Sequence, residues 1–220
     1  MLLSMNVIEL FSSIDGEGKR QGFLTTFLRL HDCNIRCSYC DTLYSYGPES
    51  TFESMSVQAV ADVIEQLENH RITVTGGEPL LQEPAIIELI DELTRRNARY
   101  DFNIETNGTI IPSFHRDNVW FTYDYKTPSS LAEDAMNLDI FKVATPADII
   151  KFVVGSMQDL DRMDEILKTY TTEAQIFVSP VWGNIEGATI VDYMKAHDWQ
   201  NVRFQLQIHK FIWDPDAKGV

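Results

Sequence analysis

The chain has 220 residues, 44% apolar and 23% charged, the proportions of an ordinary globular domain rather than of a disordered or fibrous chain. Its 18 Lys plus Arg against 33 Asp plus Glu leave a net charge of −15, which repels phosphate backbones and anionic lipid surfaces, so neither nucleic acid nor membrane is an expected partner. No run reaches the roughly 20 apolar residues that span a bilayer, and Met1–Asn6 lacks the basic region and apolar length of a signal peptide, so the expectation is a single cytoplasmic domain over residues 1–220.

In chain order, Phe23–Leu30 (FLTTFLRL) is rich in β-branched and aromatic residues and predicts a strand. Ser56 stands as an N-cap before Val57, Val60, Ile64 and Leu67 at helical spacing. Arg71–Thr75 (RITVT) predicts a short buried strand ending in Gly76-Gly77. Pro84 marks a helix start, with Ile86, Ile87, Ile90 and Leu93 on its apolar face. Strands are expected at Asp101–Thr106, Val119–Asp124 and Ile149–Val154. A helix with Met157, Leu160, Leu167 and Tyr170 inward follows, then a strand at Gln175–Ser179, a helix near Glu186–His197 and a strand at Val202–Ile208.

Strands alternating with helices imply right-handed βαβ units and a mainly parallel sheet. Six or seven repeating strands are too few for an eight-fold barrel, which takes about 250 residues. The predicted fold is therefore α/β, an incomplete TIM-like (β/α)6 partial barrel of mainly parallel strands. Its chemistry is expected at the C-terminal strand ends, where the motifs below are all expected to fall.

The only three cysteines, Cys33, Cys37 and Cys40, lie in a loop of about residues 31–50, with the spacing C-x3-C-x2-C. An odd number of close neighbours makes a poor disulfide framework. An irregular loop lets three sulfurs converge on a metal centre. Zinc usually takes a fourth Cys or His, and His31 is near, so a Cys3His site is one reading and buried free thiols another. A four-iron cluster normally takes four thiolates, so three would leave one iron open to a small molecule. With Tyr39 directly before Cys40, the segment resembles the radical S-adenosylmethionine (SAM) superfamily, in which the amino and carboxylate groups of SAM chelate that open iron.

Two further segments bear on this. Thr75-Gly76-Gly77-Glu78-Pro79 reads either as a tight strand-to-helix turn or, beside the cysteines, as the GGEP motif that meets the SAM amino group in that superfamily. Glu105-Thr106-Asn107-Gly108-Thr109 ends the next strand and resembles the superfamily's second SAM segment, with Glu105 the favoured contact.

Upstream, Phe11–Gly22 carries Gly16, Gly18 and Gly22, which leave backbone donors and acceptors uncovered for the edge of a flat heterocycle. Arg29, four residues before the first cysteine, reads as a structural ion pair or as a bidentate clamp for a substrate carboxylate. This loop, Arg29, the Cys40-Asp41-Thr42 run, Asp124–Ser130 and the tail Gln207–Trp213 occur in an order that resembles the 7-carboxy-7-deazaguanine synthase family of the queuosine pathway, from about residue 6 onward.

That resemblance implies a lyase that converts 6-carboxy-5,6,7,8-tetrahydropterin to 7-carboxy-7-deazaguanine and ammonia, with a [4Fe-4S] cluster, catalytically used SAM and Mg²⁺. A deoxyadenosyl radical formed from SAM takes hydrogen from C6 of the pterin, and the ring contracts without a dedicated protein base. It assigns the cluster to Cys33, Cys37 and Cys40, and Mg²⁺ to Thr42. SAM falls to Tyr39, Cys40, Asp41, Gly77, Glu78, Glu105, Asp124, Tyr125, Lys126 and Ser179, and substrate to Ile14, Asp15, Gly16, Glu17, Arg29, Thr75 and His209. Asp15 replaces a Gln common in the family, and Asp124-Tyr125-Lys126 replaces its Ser-Pro-Lys. A flavodoxin or ferredoxin donor is implied, docking near Lys19, Arg20 and Arg36, and a homodimer is suggested. The competing readings are a radical SAM activase that generates a glycyl radical on a partner enzyme, and a non-catalytic zinc-binding module.

Overall fold

The computed structural model describes residues 3–220; Met1 and Leu2, the first part of the N-terminal segment considered above, lie outside the described residues. One nine-stranded sheet runs β3-β1-β2-β4-β5-β6-β7-β8-β9 and does not close. Its strands are β1 (Ser4–Ile14), β2 (Leu24–Leu30), β3 (Glu53–Ser56), β4 (Arg71–Gly76), β5 (Asp101–Thr106), β6 (Val119–Lys126), β7 (Ile149–Val154), β8 (Gln175–Pro180) and β9 (Val202–Phe204). From β2 to β9 every neighbouring pair is parallel, whereas β1 runs antiparallel to both β2 and β3. The partial barrel of mainly parallel strands is as expected, with this antiparallel edge added.

The helices form where caps and apolar spacing coincide. In α1 (Val57–Gln66) the Ser56 hydroxyl accepts from the Ala59 amide at 3.2 Å, and Val57, Val60, Ala61 and Ile64 are buried on one face. Helix α2 (Glu83–Arg96) carries Pro84 in its first turn, where a missing amide donor costs nothing, and buries Ala85, Ile86, Leu89, Ile90 and Leu93. After the one-turn α3 (Ile140–Val143) comes α4 (Met157–Thr169), capped by Ser156. It turns Leu160, Met163 and Ile166 inward, with Leu167 and Tyr170 packed against the core and Tyr170 stacked on Phe141, whereas Met157 is exposed at its first turn. Helix α5 (Gly187–Ala196) and the one-turn α6 (His209–Ile212) complete the set.

Alternation along the strands divides the sheet into two unlike faces. Ile72, Val74, Phe102, Ile104, Phe121, Tyr123, Tyr125, Ile150, Phe152 and Val154 face the helices and join one hydrophobic core. The intervening residues on the concave side are polar: Thr75, Glu105, Thr122, Asp124, Lys126 and Lys151 line a cavity there. A parallel sheet covered on both sides usually reads as continuous apolar sequence; the polar side marks the working face.

Three expectations are corrected. First, the Gly-rich loop of residues 15–23 does not lie at the C-terminal strand ends. It joins β1 to β2 as a hairpin, so it sits where β2, β4 and β5 begin, and Arg20 donates there to Ile72 O (3.0 Å) and Asp101 (2.5 Å). Second, Lys19 also points to that end, donating to Ala147 O, so Lys19 and Arg20 form no patch with the exposed Arg36 of the cysteine loop. Third, the last strand stops at Phe204. The following backbone bonds instead to the hairpin and to β8: Gln205 N to Val178 O (3.0 Å) and Ile208 N to Gly16 O (3.2 Å). Residues 205–220 thus run as a strap from the Gly-rich loop to the cysteine loop, where Lys210 meets Asp41 at 3.4 Å and Lys218 lies over the Tyr44 ring. Among the described residues no helix is long and apolar enough to cross a membrane.

Candidate functional site

The concave face, the hairpin and the strap enclose one cavity of about 280 Å³. Its mouth is the cysteine loop. Cys33, Cys37 and Cys40 are free, half-buried thiols, and all three line it. The loop is held by its backbone: Arg36 Nη1 donates to the carbonyls of Cys33 and Ile35 at 2.7 Å each, and Ser38 N to Ser130 O at 2.9 Å. Asn107 donates to Asn34 Oδ1 (2.9 Å) and faces Cys33 Sγ at 3.7 Å. Burial pushes the Cys33 thiol up and the Cys37 thiol to about 11, so both would bind a proton until a metal displaces it. His31 lines none of this cavity; it packs on Phe52 at 4.4 Å, away from a Cys3His arrangement.

Behind the mouth, β4 ends at Gly76, and Gly77 follows it. A Cβ on Gly77 would stand 2.6 Å from the Asp32 carbonyl carbon and 2.7 Å from Cys33 Cβ, so only glycine lets this strand end press against the cysteine loop.

The floor is dense in charge. Lys151 lies 3.1 Å from Glu17 Oε2 and 3.7 Å from Asp124 Oδ2, while Lys126 lies 3.0 Å from Asp124 Oδ2. Gln207 of the strap donates to the other Glu17 oxygen at 2.8 Å. Burial opposes the charge on Lys151 and Lys126, yet Glu17 and Asp124 hold the two ammonium groups above the usual lysine range. Burial also opposes charge on Glu17, but Lys151 and Gln207 bring its carboxyl below the usual value. For Glu105 burial prevails over Lys151 and the carboxyl is raised. Asp15, buried and facing Glu105, is pushed up to about 7 despite the hydroxyl of Thr73 at 3.2 Å. Arg29 is tied from Nε to Glu9 (2.6 Å), its one side-chain hydrogen bond among the described residues, leaving both terminal nitrogens for a ligand. His209 sits on Gly16, where a Cβ would stand 2.8 Å from its Cγ, and burial lowers its basicity.

Of the residues expected at a site, three do not line the cavity. Glu78 is wholly buried, and its carboxylate accepts from Leu80 N, Thr106 Oγ1 and Asn107 N at 2.7–3.0 Å, so it anchors two site segments rather than facing a ligand. Tyr125 alternates to the helix side, bonds Glu133 at 2.9 Å and packs on Phe152. Ser179 is covered, its hydroxyl buried without a partner, and Val181 and Trp182 form the wall there. The expected residues Ile14, Asp15, Gly16, Glu17, Arg29, Tyr39, Asp41, Thr42, Thr75, Gly77, Glu105, Asp124, Lys126 and His209 share the cavity with the three cysteines. Lys151 was not anticipated, although a lysine inside the otherwise apolar run IIKFVV was its signal.

These features suit a three-thiolate cluster and a polar ligand beside it. The thiols share one mouth with no fourth cysteine in the chain, the glycine turn leaves room that a Cβ would fill, and Asp124 Oδ1 is a buried acceptor without a protein partner.

Fold and site together define a radical SAM enzyme, and the Radical SAM superfamily model matches residues 29–137. A 7-carboxy-7-deazaguanine synthase of Clostridium acetobutylicum is 38% identical, across 99% of this chain and 100% of the relative. The synthases of Methanospirillum hungatei (36%, 96% of this chain and 86% of the relative) and Leptospira interrogans (36%, 99% of each) are similar. The crystal structure of QueE from Escherichia coli shares the fold, with a TM-score of 0.69 at 23% identity over 92% of this chain and 93% of that one. The chain belongs to the 7-carboxy-7-deazaguanine synthase family.

Proposed function

We propose that the chain converts 6-carboxy-5,6,7,8-tetrahydropterin to 7-carboxy-7-deazaguanine and ammonia. The observation that carries this reading is the single cavity that joins a three-cysteine mouth to a charged floor. When bound, the cluster and SAM supply a radical that removes a hydrogen atom from the substrate. Cys33, Cys37 and Cys40 hold the cluster. Gly77, Tyr39, Asp41, Glu105, Asp124 and Lys126 line the SAM end, Asp124 through its unpartnered Oδ1. Glu78 serves SAM indirectly, by fixing Thr106 and Asn107.

At the substrate end, the backbone of Ile14, Asp15 and Gly16, with Glu17, Thr75 and His209, reads the heterocycle edge. The terminal nitrogens of Arg29, steadied from behind by Glu9, form a fork for its carboxylate. The strap and Trp182 exclude water, which strengthens every charge interaction inside. No group of the floor is needed as a base.

Mg²⁺ belongs beside Thr42, whose hydroxyl donates to Asp41 at 2.9 Å. One hydroxyl is a weak ligand for this ion, so substrate oxygens complete the shell. Thr42→Ala should weaken the Mg²⁺ dependence of turnover while leaving iron and sulfide content intact; an unchanged metal response sinks that assignment. The electron comes from a flavodoxin or ferredoxin at the Arg36 side of the mouth. The enzyme works in the cytoplasm, as a homodimer.

The test is anaerobic reconstitution with iron and sulfide, reduction, and addition of SAM, Mg²⁺ and the carboxytetrahydropterin, with product and SAM followed by mass spectrometry. Many turnovers of deazaguanine without matching SAM loss support the whole reading. SAM cleavage without deazaguanine overturns the substrate.

A further inference from the structure

Among the described residues, Lys151 is the one cation that the floor places among three acidic side chains from three different elements. Glu17 comes from the β1–β2 hairpin, Glu105 from β5 and Asp124 from β6. Residues on either side of it in β7 point to the helix core, and the ladder sets Lys151 directly opposite Asp124. Glu17 is then gripped from both sides, by Lys151 at 3.1 Å and by Gln207 of the strap at 2.8 Å.

We infer that Lys151 is a positioning residue that fixes the two ends of the cavity relative to each other, holding Glu17 toward the heterocycle and Asp124 toward SAM through one shared ammonium. The inference rests on the functional reading above and deepens it. A lysine buried in an apolar strand is costly unless paired and hydrogen-bonded. Here its partners are not a local ion pair: they lie 134 residues apart for Glu17 and on the next strand for Asp124. A rigid bond between hairpin and barrel wall would need no such charge; one ammonium shared by carboxylates from two separate elements ties both to a common point. Reacting groups must be held to within a fraction of an ångström, and a small misplacement costs a large factor in rate.

The charged and titratable groups around this ammonium are Glu17, Glu105 and Asp124, with Lys126 on β6, His209 on the strap, and Arg29 and Asp15 acting through their common neighbour Glu105. An adjacent opposite charge lowers a carboxyl pKa by about one to three units. Removing the ammonium therefore raises the Glu17 carboxyl, so activity that needs it ionised disappears at a higher pH than in the parent enzyme.

The experiment compares Lys151→Met, Lys151→Gln and Lys151→Arg with the parent in the reconstituted enzyme. The readouts are the pH profile of kcat/KM and, separately, calorimetric binding of the carboxytetrahydropterin with SAM present. The expected result is an acid limb displaced upward by about one unit or more in the Met and Gln variants. Binding of the pterin should be lost over the same pH interval, with iron, sulfide and the far-ultraviolet spectrum unchanged, and Arg should restore the limb. Gln keeps a donor to Glu17 without the charge and serves if Met does not fold. Unmoved limbs in folded, cluster-loaded variants overturn the inference while product formation by the parent still stands. A parent that makes no deazaguanine overturns the functional reading instead.

Discussion

The mouth and the floor of the cavity are built by opposite means. At the mouth, an irregular loop is fixed by backbone carbonyls, by Arg36 and by a glycine that lets a strand end come close, and its side chains are half-exposed thiols. At the floor, regular strands present side chains at fixed intervals, and opposing charges hold one another. A loop can bend three sulfurs toward one inorganic centre, whereas a barrel wall cannot. A wall can keep buried ions at constant spacing, whereas a solvated loop screens and loosens them.

The sharpest way to break this contrast is at the mouth. Cys37→Ala should abolish iron and acid-labile sulfide and all turnover while leaving the fold intact, because the loop is held without its thiols. Elemental analysis beside a melting curve checks it; a collapse in Tm would mean that the cysteines are structural.

At the floor, Asp15→Asn should act on stability and on its pH dependence. Asp15 titrates near 7 in the folded protein against 3.8 for the free group. A raised acid favours the folded state only while protonated there, so wild type and variant should match below about pH 4. Wild type should lose ground from there to about pH 7, by up to about 4 kcal/mol at 1.36 kcal/mol per unit, an upper figure because Glu105 shares the shift. Urea unfolding at pH 4 and pH 8 measures the gap, and an equal gap at both values contradicts the burial argument.

Gly77→Ala tests the junction. The added methyl must move the Asp32 carbonyl and Cys33, at a cost of about 1–3 kcal/mol. Cluster retention should suffer more than Tm, and normal iron binding would show that the close approach is dispensable. The smallest effect is expected from Gly16→Ala, which displaces the His209 ring and should raise the pterin KM with little change in kcat.

How far the sequence reveals these two regions follows from the same contrast. The mouth was legible because thiol spacing is chemistry in itself: C-x3-C-x2-C and the Gly-Gly turn name their neighbours without a fold. The parallel strands and the cap at Ser56 were legible, since period and cap residues act locally; the cap at Ser156 was not read in advance. The floor was harder. Strand β1 is half-exposed along most of its length and shifts register between Val7 and Glu9, so no clean alternation announces it. Without β1 the hairpin could not be placed, and Lys19 and Arg20 were sent to the wrong end of the barrel. Alternation in Asp124-Tyr125-Lys126 does separate Tyr125 from its neighbours, but motif likeness outweighed it. Glu78 lies in a ligand motif yet turns away from the cavity because three buried donors need an acceptor.

The strap of residues 205–220 bears on how the protein can be handled. Val220 is part of the cavity wall, as are Lys218 and Gly219. A group attached to the Lys218 side chain therefore meets the chamber rather than a free surface. Such a group is a substituent on the reaction vessel, and an attachment point for a surface or a dye is better sought on the exposed side of α5, around Asp192 and Lys195.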